Sequence, residues 1–191
     1  MLRLEDTQYT FRKKWFKLVG GEFRVLDRHG RLVFFSQQKA LRLREDIRVY
    51  GDERKTEELL SITTHAILDF SAAYDVVDSG SLDKIGTLRR KGFRSFLRDE
   101  WEILDPLGEV VGQIREDSLV LALLRRMVTS LIPQRYDFVL HGANVASFQG
   151  LFNPFAYRAT LDLSRDVRGL LDRRLALAAG LLLMAIEGQQ E

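Results

Sequence analysis

The sequence predicts a mainly β chain: a closed antiparallel barrel of repeated hairpins around one central hydrophobic helix at its C-terminal end. Three observations carry this reading. A hairpin-like pattern recurs along the chain. Strand-type alternation fills most of it. And Leu175 to Ile186 reads Leu-Ala-Leu-Ala-Ala-Gly-Leu-Leu-Leu-Met-Ala-Ile, with no polar side chain on any face. A surface helix keeps a polar stripe, so this one calls for burial on every side. Twelve residues make ~18 Å of helix, whereas a hydrocarbon core of ~30 Å takes roughly 20 residues to cross. A helix inside the protein is therefore the stronger reading, and a short membrane anchor the weaker.

The strands follow in order. In Tyr9-Thr-Phe-Arg-Lys-Lys-Trp15, alternation puts Tyr9, Phe11, Lys13 and Trp15 on one face. Phe23-Arg-Val-Leu-Asp27 then meets the turn Arg28-His-Gly30 and continues as Arg31 to Ser36. Next come three copies of one unit, an apolar strand running into an acidic turn: Ile47-Arg-Val-Tyr-Gly-Asp52, Tyr74-Asp-Val-Val-Asp78 and Trp101-Glu-Ile-Leu-Asp105. Their lead residues lie 27 apart, twice. Each copy has a partner strand before it, within Val33 to Leu43, Leu60 to Leu68 and Ile85 to Leu97. A period of this size marks a repeated supersecondary unit, and with Gly and Asp at the turns that unit is a β-hairpin. Tyr136 to His141, Gly142 and Val145 to Phe148 give a further hairpin. In Tyr157 to Leu163, Tyr157, Ala159, Leu161 and Leu163 oppose Arg158, Thr160 and Asp162. The strands number roughly ten to twelve. Two helices interrupt them. The first is Ser118 to Ile132, capped by Asp117 or Ser118 and stopped by Pro133; the second is the apolar C-terminal segment.

No linker, low-complexity tract or composition shift divides the chain, so residues 1–191 are expected to form a single barrel domain. Small barrels fill with their own side chains, and wider ones need a plug. A barrel of twelve strands would accept a helix, and the seven large side chains of the terminal segment would gain on the order of 10–20 kcal/mol gross from burial.

Composition excludes several function classes. A 46% hydrophobic and 29% charged balance is that of an ordinary globule. A net charge of +2 gives no global field to attract nucleic acid, which is not expected as a partner. Without cysteine there are no disulfides, thiolate metal sites or catalytic thiols. Met-Leu-Arg-Leu-Glu-Asp is not the start of a signal peptide, and a cytoplasmic location is expected.

Tyr74-Asp-Val-Val-Asp-Ser-Gly80 together with Ile85-Gly-Thr-Leu-Arg-Arg-Lys-Gly-Phe-Arg-Ser-Phe-Leu-Arg-Asp-Glu-Trp-Glu-Ile-Leu-Asp105 resembles the LURP-one-related and scramblase-like branch of the Tubby C-terminal-like superfamily. The motif match covers about residues 60–115, and the hairpin repeat and terminal helix extend it over nearly the whole chain. The resemblance implies a twelve-stranded barrel around a central hydrophobic helix. It also implies phosphoinositide or membrane association, as in Tubby domains and scramblases. The chain departs from the scramblases in lacking a Pro-rich arm, palmitoylated cysteines and a calcium segment. Its acidic run Asp75 to Asp83 has no EF-hand spacing and reads as turn chemistry, so scrambling and calcium dependence are not carried over.

The leading candidate site is a basic run: Arg89, Arg90, Lys91, Arg94 and Arg98, interleaved with Phe93, Phe96 and Trp101. Arginine binds phosphate bidentately and aromatics suit a membrane interface. The competing reading pairs these arginines with Asp99, Glu100 and Glu102. A second run, Arg12, Lys13, Lys14 and Lys17 beside Phe11, Trp15 and Phe16, reads either as a lipid-facing surface or as an edge strand protected by lysines. The Ser118–Ile132 helix carries an apolar face of Leu121, Leu124, Val128, Leu131 and Ile132, and fits packing on the barrel, a dimer interface or a membrane surface.

Catalytic signals are poor. His29, His65 and His141 are scattered, and no two of them fall at a metal-ligand spacing. No nucleophile elbow, P-loop or dinucleotide fingerprint is present. The expectation is a non-enzymatic module with no cofactor and no metal, binding anionic phospholipid head groups or a membrane surface through its basic hairpins and peripheral to the membrane. The alternative is a cytoplasmic protein-interaction or stress-related structural domain with no lipid role.

Overall fold

The structure, a computed structural model, describes residues 4–16, 20–38, 47–68, 71–91, 100–116, 134–151 and 157–186. The expected helix Ser118–Ile132 lies outside the described residues. Twelve strands run β1 Gln8–Phe16, β2 Gly20–Leu26, β3 Leu32–Gln38, β4 Ile47–Tyr50, β5 Glu58–Leu68 and β6 Ser71–Asp78, then β7 Lys84–Arg90, β8 Glu100–Leu104, β9 Val110–Glu116, β10 Arg135–Leu140, β11 Ala143–Leu151 and β12 Tyr157–Asp162. They form one closed antiparallel barrel in sequence order, sealed where β1 pairs with β12. Helix α1, Arg173–Ile186, fills its interior.

The 27-residue period has a structural cause. In the hairpins β2–β3, β4–β5, β6–β7, β8–β9 and β10–β11 the register shifts by a bulge just before the turn, after Val25, Val49, Val76, Ile103 and Phe138. Each of these five side chains is buried against the core. An aspartate then closes four of the turns by accepting backbone N–H groups. Asp27 Oδ1 takes those of His29 and Arg31 at 2.8 and 2.9 Å, and Asp105 Oδ1 those of Leu107 and Glu109 at 2.9 and 2.8 Å. Asp78 Oδ1 takes those of Gly80 and Ser81, and Asp52 Oδ1 that of Arg54. The acidic turns are thus Asx turns. The repeat's lead residues also share a face: Tyr74 and Trp101 are buried with ring centroids 5.8 Å apart, and Ile47, at the start of its short strand, is half-buried against the same core.

Leu175 to Ala185 are all buried, as the uniform apolarity of the segment requires. The barrel wall meets the helix with Phe11, Phe34, Ile62, Trp101, Phe138 and Phe148, each at most 1% exposed. Gly180 marks the closest approach. A Cβ there would stand 2.6 and 2.8 Å from the Phe11 ring, which is fixed edge-to-face against Phe148 at 5.2 Å.

The helix is polar only at its ends, and both ends are held. At the N-terminus Asp172 caps it: its Oδ1 accepts the Arg174 N–H at 2.8 Å. Arg174 bridges Asp172 at 2.7 Å and Asp78 at 2.6 Å, and Arg173 donates to the Asp6 carbonyl. At the C-terminus Lys13, on the inward face of β1, donates to the Met184 carbonyl at 3.0 Å and lies 5.5 Å from the Phe23 ring centroid. The last four carbonyls of a helix have no intrahelical partner and carry partial negative charge, so a cation reaches one of them here. Burial pushes the Lys13 ammonium down to about 8.

Two outcomes follow. Gly180→Ala gains about 1 kcal/mol of helix propensity, but a methyl forced against the locked Phe11–Phe148 pair costs about 1–3 kcal/mol; urea denaturation is expected to show a net loss of stability. For Lys13 the folded chain binds fewer protons than the unfolded one between pH about 8 and 10.5, so its contribution to stability rises with pH across that window. The wild-type protein is expected to gain up to about 3 kcal/mol relative to Lys13→Met between those pH values. Parallel urea titrations from neutral to alkaline pH check it, and identical pH slopes in the two proteins would refute it.

Candidate functional site

The apolar side chains point inward and the polar ones outward, the reverse of a barrel that faces lipid with its wall. No helix among the described residues is long and apolar enough to cross a membrane. With α1 in the interior, two grooves among the described residues open on the outside of the barrel. One, of about 770 Å³, lies at the mouth beside Asp6, Tyr9, Arg28 and Arg31, where Arg28 is spent on Asp6 and Arg31 on Asp27. The other, of about 370 Å³, runs over β8, β9 and β10.

Of the leading basic run, Arg94 and Arg98 lie outside the described residues, as do Phe93, Phe96 and Asp99. Arg89 and Arg90 end β7, and Lys91 follows it. Arg89 sits opposite Glu102 in register and donates to it from Nε at 2.8 Å and Nη2 at 2.6 Å. Lys91 Nζ reaches Glu100 at 3.0 Å and Glu102 at 3.3 Å, and Arg115 on β9 approaches Glu100 at 3.7 Å. The outer wall of β7–β8–β9 is therefore a charge ladder in which cations and carboxylates alternate. Burial alone would raise the Glu102 carboxyl, but hydrogen bonds from Arg89 and Lys91 hold it below the usual range. Lys91 is likewise raised against its burial by Glu100 and Glu102. The pairing of this run with Glu100 and Glu102, the competing reading of the sequence, holds for Arg89 and Lys91. Trp101, which interleaves the run, is buried in the core rather than offered to an interface.

The second basic run divides differently. β1 pairs with β12 on one side and β2 on the other, so it is not an edge strand and its cations do not guard an edge. Lys13 turns inward to α1, which removes it from any surface site. Lys17 lies outside the described residues. Arg12 is exposed on the outer wall. In register with it stand Arg158 on β12 and Arg24 on β2, a row of three arginines across neighbouring strands. Arg24 is neutralised by Glu53 at 2.7 Å and Glu22 at 2.9 Å. Arg12 and Arg158 have no carboxylate partner among the described residues. The Arg158 Nε is shut off from solvent and has no hydrogen-bond partner.

Arg158 is the residue that sequence reasoning missed. Alternation sets it on the outer face, opposed to Tyr157 and Ala159, but only the closing β1–β12 register places it beside Arg12.

Among the described residues His29 and His141 supply no catalytic constellation. His29 is exposed and its Nε2 accepts from Arg28 Nε at 3.0 Å; His141 is exposed at a positive φ of 48° in the β10–β11 turn. The His65 side chain lies outside the described residues. Among the described residues no three His, Asp or Glu side chains are placed to hold a metal ion.

Compared with protein-family models, curated proteins and solved structures, the chain gives no match.

The ladder predicts a small, salt-screened energy. Arg89 is 42% exposed, and exposed pairs are worth about 0.2–1 kcal/mol. A double-mutant cycle on Arg89→Ala and Glu102→Ala is expected to give a coupling within that range that falls as salt is raised. A coupling of several kcal/mol would refute a solvated ladder.

Proposed function

We propose that the protein is a non-enzymatic, Tubby-like barrel module that binds an anionic phospholipid surface from the cytoplasmic side, as a peripheral protein. The observation that carries this reading is the uneven charge of the outer wall. Arg89, Lys91 and Arg115 are consumed by Glu100 and Glu102, while Arg12 and Arg158 on β1 and β12 have no carboxylate among the described residues. Unspent guanidinium groups on a rigid strand surface are available to phosphate. The filled interior adds support, because it leaves the outside of the barrel as the place to act. The resemblance of residues 60–115 to the scramblase-like branch supports the same reading, and the barrel has the architecture that this resemblance implies. The lipid-facing wall is then β12–β1–β2 rather than Arg89, Arg90 and Lys91.

Co-sedimentation with vesicles tests it. Binding is expected for phosphatidylserine-containing vesicles at low salt, to weaken as salt screens the exposed charges, and to be absent for phosphatidylcholine alone. The double variant Arg12→Gln/Arg158→Gln is expected to lose most of the binding, and Arg89→Gln/Lys91→Gln to keep most of it. Equal binding to neutral and anionic vesicles, or none at low salt, would refute the reading.

One further observation favours the alternative, a protein-interaction domain without a lipid role. Leu82, Leu107 and Val167 stand 78%, 89% and 90% exposed on turns at the barrel end where α1 begins. Exposed apolar tips of this kind suit a protein partner, and a failure to bind any vesicle would favour that reading.

A further inference from the structure

Arg12 and Arg158 are Cα partners in the β1–β12 ladder and both point outward. In directly opposed antiparallel pairs the Cβ atoms lie only about 4.5–5.5 Å apart, and like charges placed so are destabilising. Natural walls offset such a pair with carboxylates, as this one does for Arg24. Here the offset is missing among the described residues, and the Arg158 Nε, shut off from solvent, has no hydrogen-bond partner. The next pair along the same outward face is Thr10 opposite Thr160, which sets two hydroxyls beside the two guanidiniums. The surface thus concentrates two positive charges and two hydroxyls on one patch four side chains in size.

We propose that Arg12 and Arg158, flanked by Thr10 and Thr160, form a clamp for a dianionic phosphomonoester group. Two guanidinium forks match the terminal oxygens of a tetrahedral oxyanion, and its second negative charge matches the second arginine. A phosphodiester or a carboxylate carries one charge and leaves one arginine unmatched. The ligand relieves the opposed pair, so selectivity comes from the like-charge repulsion of two arginines set directly across the β1–β12 ladder. This proposal rests on the anionic-surface reading and names the head-group chemistry of that surface.

The test compares the full chain on phosphatidylcholine vesicles doped with phosphatidic acid, whose phosphate is a monoester, or with phosphatidylglycerol, the two adjusted to equal zeta potential. Binding to the phosphatidic acid vesicles is expected to be roughly tenfold tighter at equal potential. Arg158→Lys keeps the charge but not the fork, and is expected to bind both vesicle types alike. Arg12→Gln is expected to lose the preference as well, whereas Arg115→Gln, which removes one charge on the far wall, keeps it. Inorganic phosphate added to the phosphatidic acid vesicles is expected to displace the protein, which would show that the phosphate group itself is held, free or on a lipid. No displacement would assign the site to the lipid-borne form alone. The melting temperature of Arg12→Gln should equal or exceed that of the wild type, since the opposed pair is relieved. Equal affinity of the wild type for both vesicle types overturns the clamp while leaving the anionic-surface reading intact. Absence of binding to either at low salt overturns that reading itself.

Discussion

A helix with no polar face cannot rest on a surface, and the geometry of this protein follows from enclosing one. Leu175 to Ala185 must meet apolar atoms on all sides, and a closed wall of strands with alternating side chains supplies them. The wall has to be wide enough for a helix and still touch it everywhere. Aromatic residues fill the broad gaps, and Gly180 is used where the wall comes nearest, against Phe11 and Phe148. Enclosure solves the side chains and leaves the helix ends, whose backbone groups are unsatisfied by construction. Asp172, Arg174 and Asp78 deal with one end, and Lys13 with the other. Burying an ammonium is costly, and the lowered Lys13 is the physical sign of that cost. What it secures is a polar anchor at the end of a helix that has no polar residues of its own there.

A filled interior moves chemistry to the outer wall, and the wall is not uniform. Along β7–β8–β9 three cations each face a carboxylate one strand away, giving Arg89–Glu102, Lys91–Glu100 and Arg115–Glu100. Such a ladder contributes little stability and little field, because its charges cancel at contact distance. Across β12–β1–β2 the same residue type is stacked three deep, and among the described residues carboxylates compensate Arg24 but not Arg12 or Arg158. Two stretches of sequence that look equally basic therefore differ in the charge they leave available.

Much of this was legible in the sequence. Alternation assigned Tyr9, Phe11 and Lys13 to one face and Arg158, Thr160 and Asp162 to the opposite face from Ala159 and Leu161, and the burial of these residues agrees. The spacing of Ile47, Tyr74 and Trp101 gave the hairpin repeat, because each hairpin carries its bulge and its turn aspartate at the same place. The apolar run gave the central helix. What could not be read was pairing between distant strands. Alternation says which way a side chain points, not what it meets, so the partner of Lys13, 171 residues away, was out of reach. So was the closing register that sets Arg12 opposite Arg158. The taking of β1 for an edge strand failed for the same reason: an edge exists only until the first and last strands meet.

That closing seam brings the strain and the opportunity together. Inside hairpins such as β6–β7 and β8–β9 the partner strands are neighbours in sequence, and the loop entropy of pairing them is small. β1 and β12 must come together over the length of the chain, and β1 also holds the far end of α1 through Lys13, while the Leu163 N–H returns to the Thr7 carbonyl at 2.7 Å. The seam is thus the most expensive junction of the barrel to form, and it is where two like charges are directly opposed. A dianion bridging Arg12 and Arg158 would link the first and last strands of the barrel, and a ligand that binds only the closed barrel stabilises it by mass action. Occupancy of the outer wall and closure of the barrel around its helix would in this way be one equilibrium, read from opposite sides of β1.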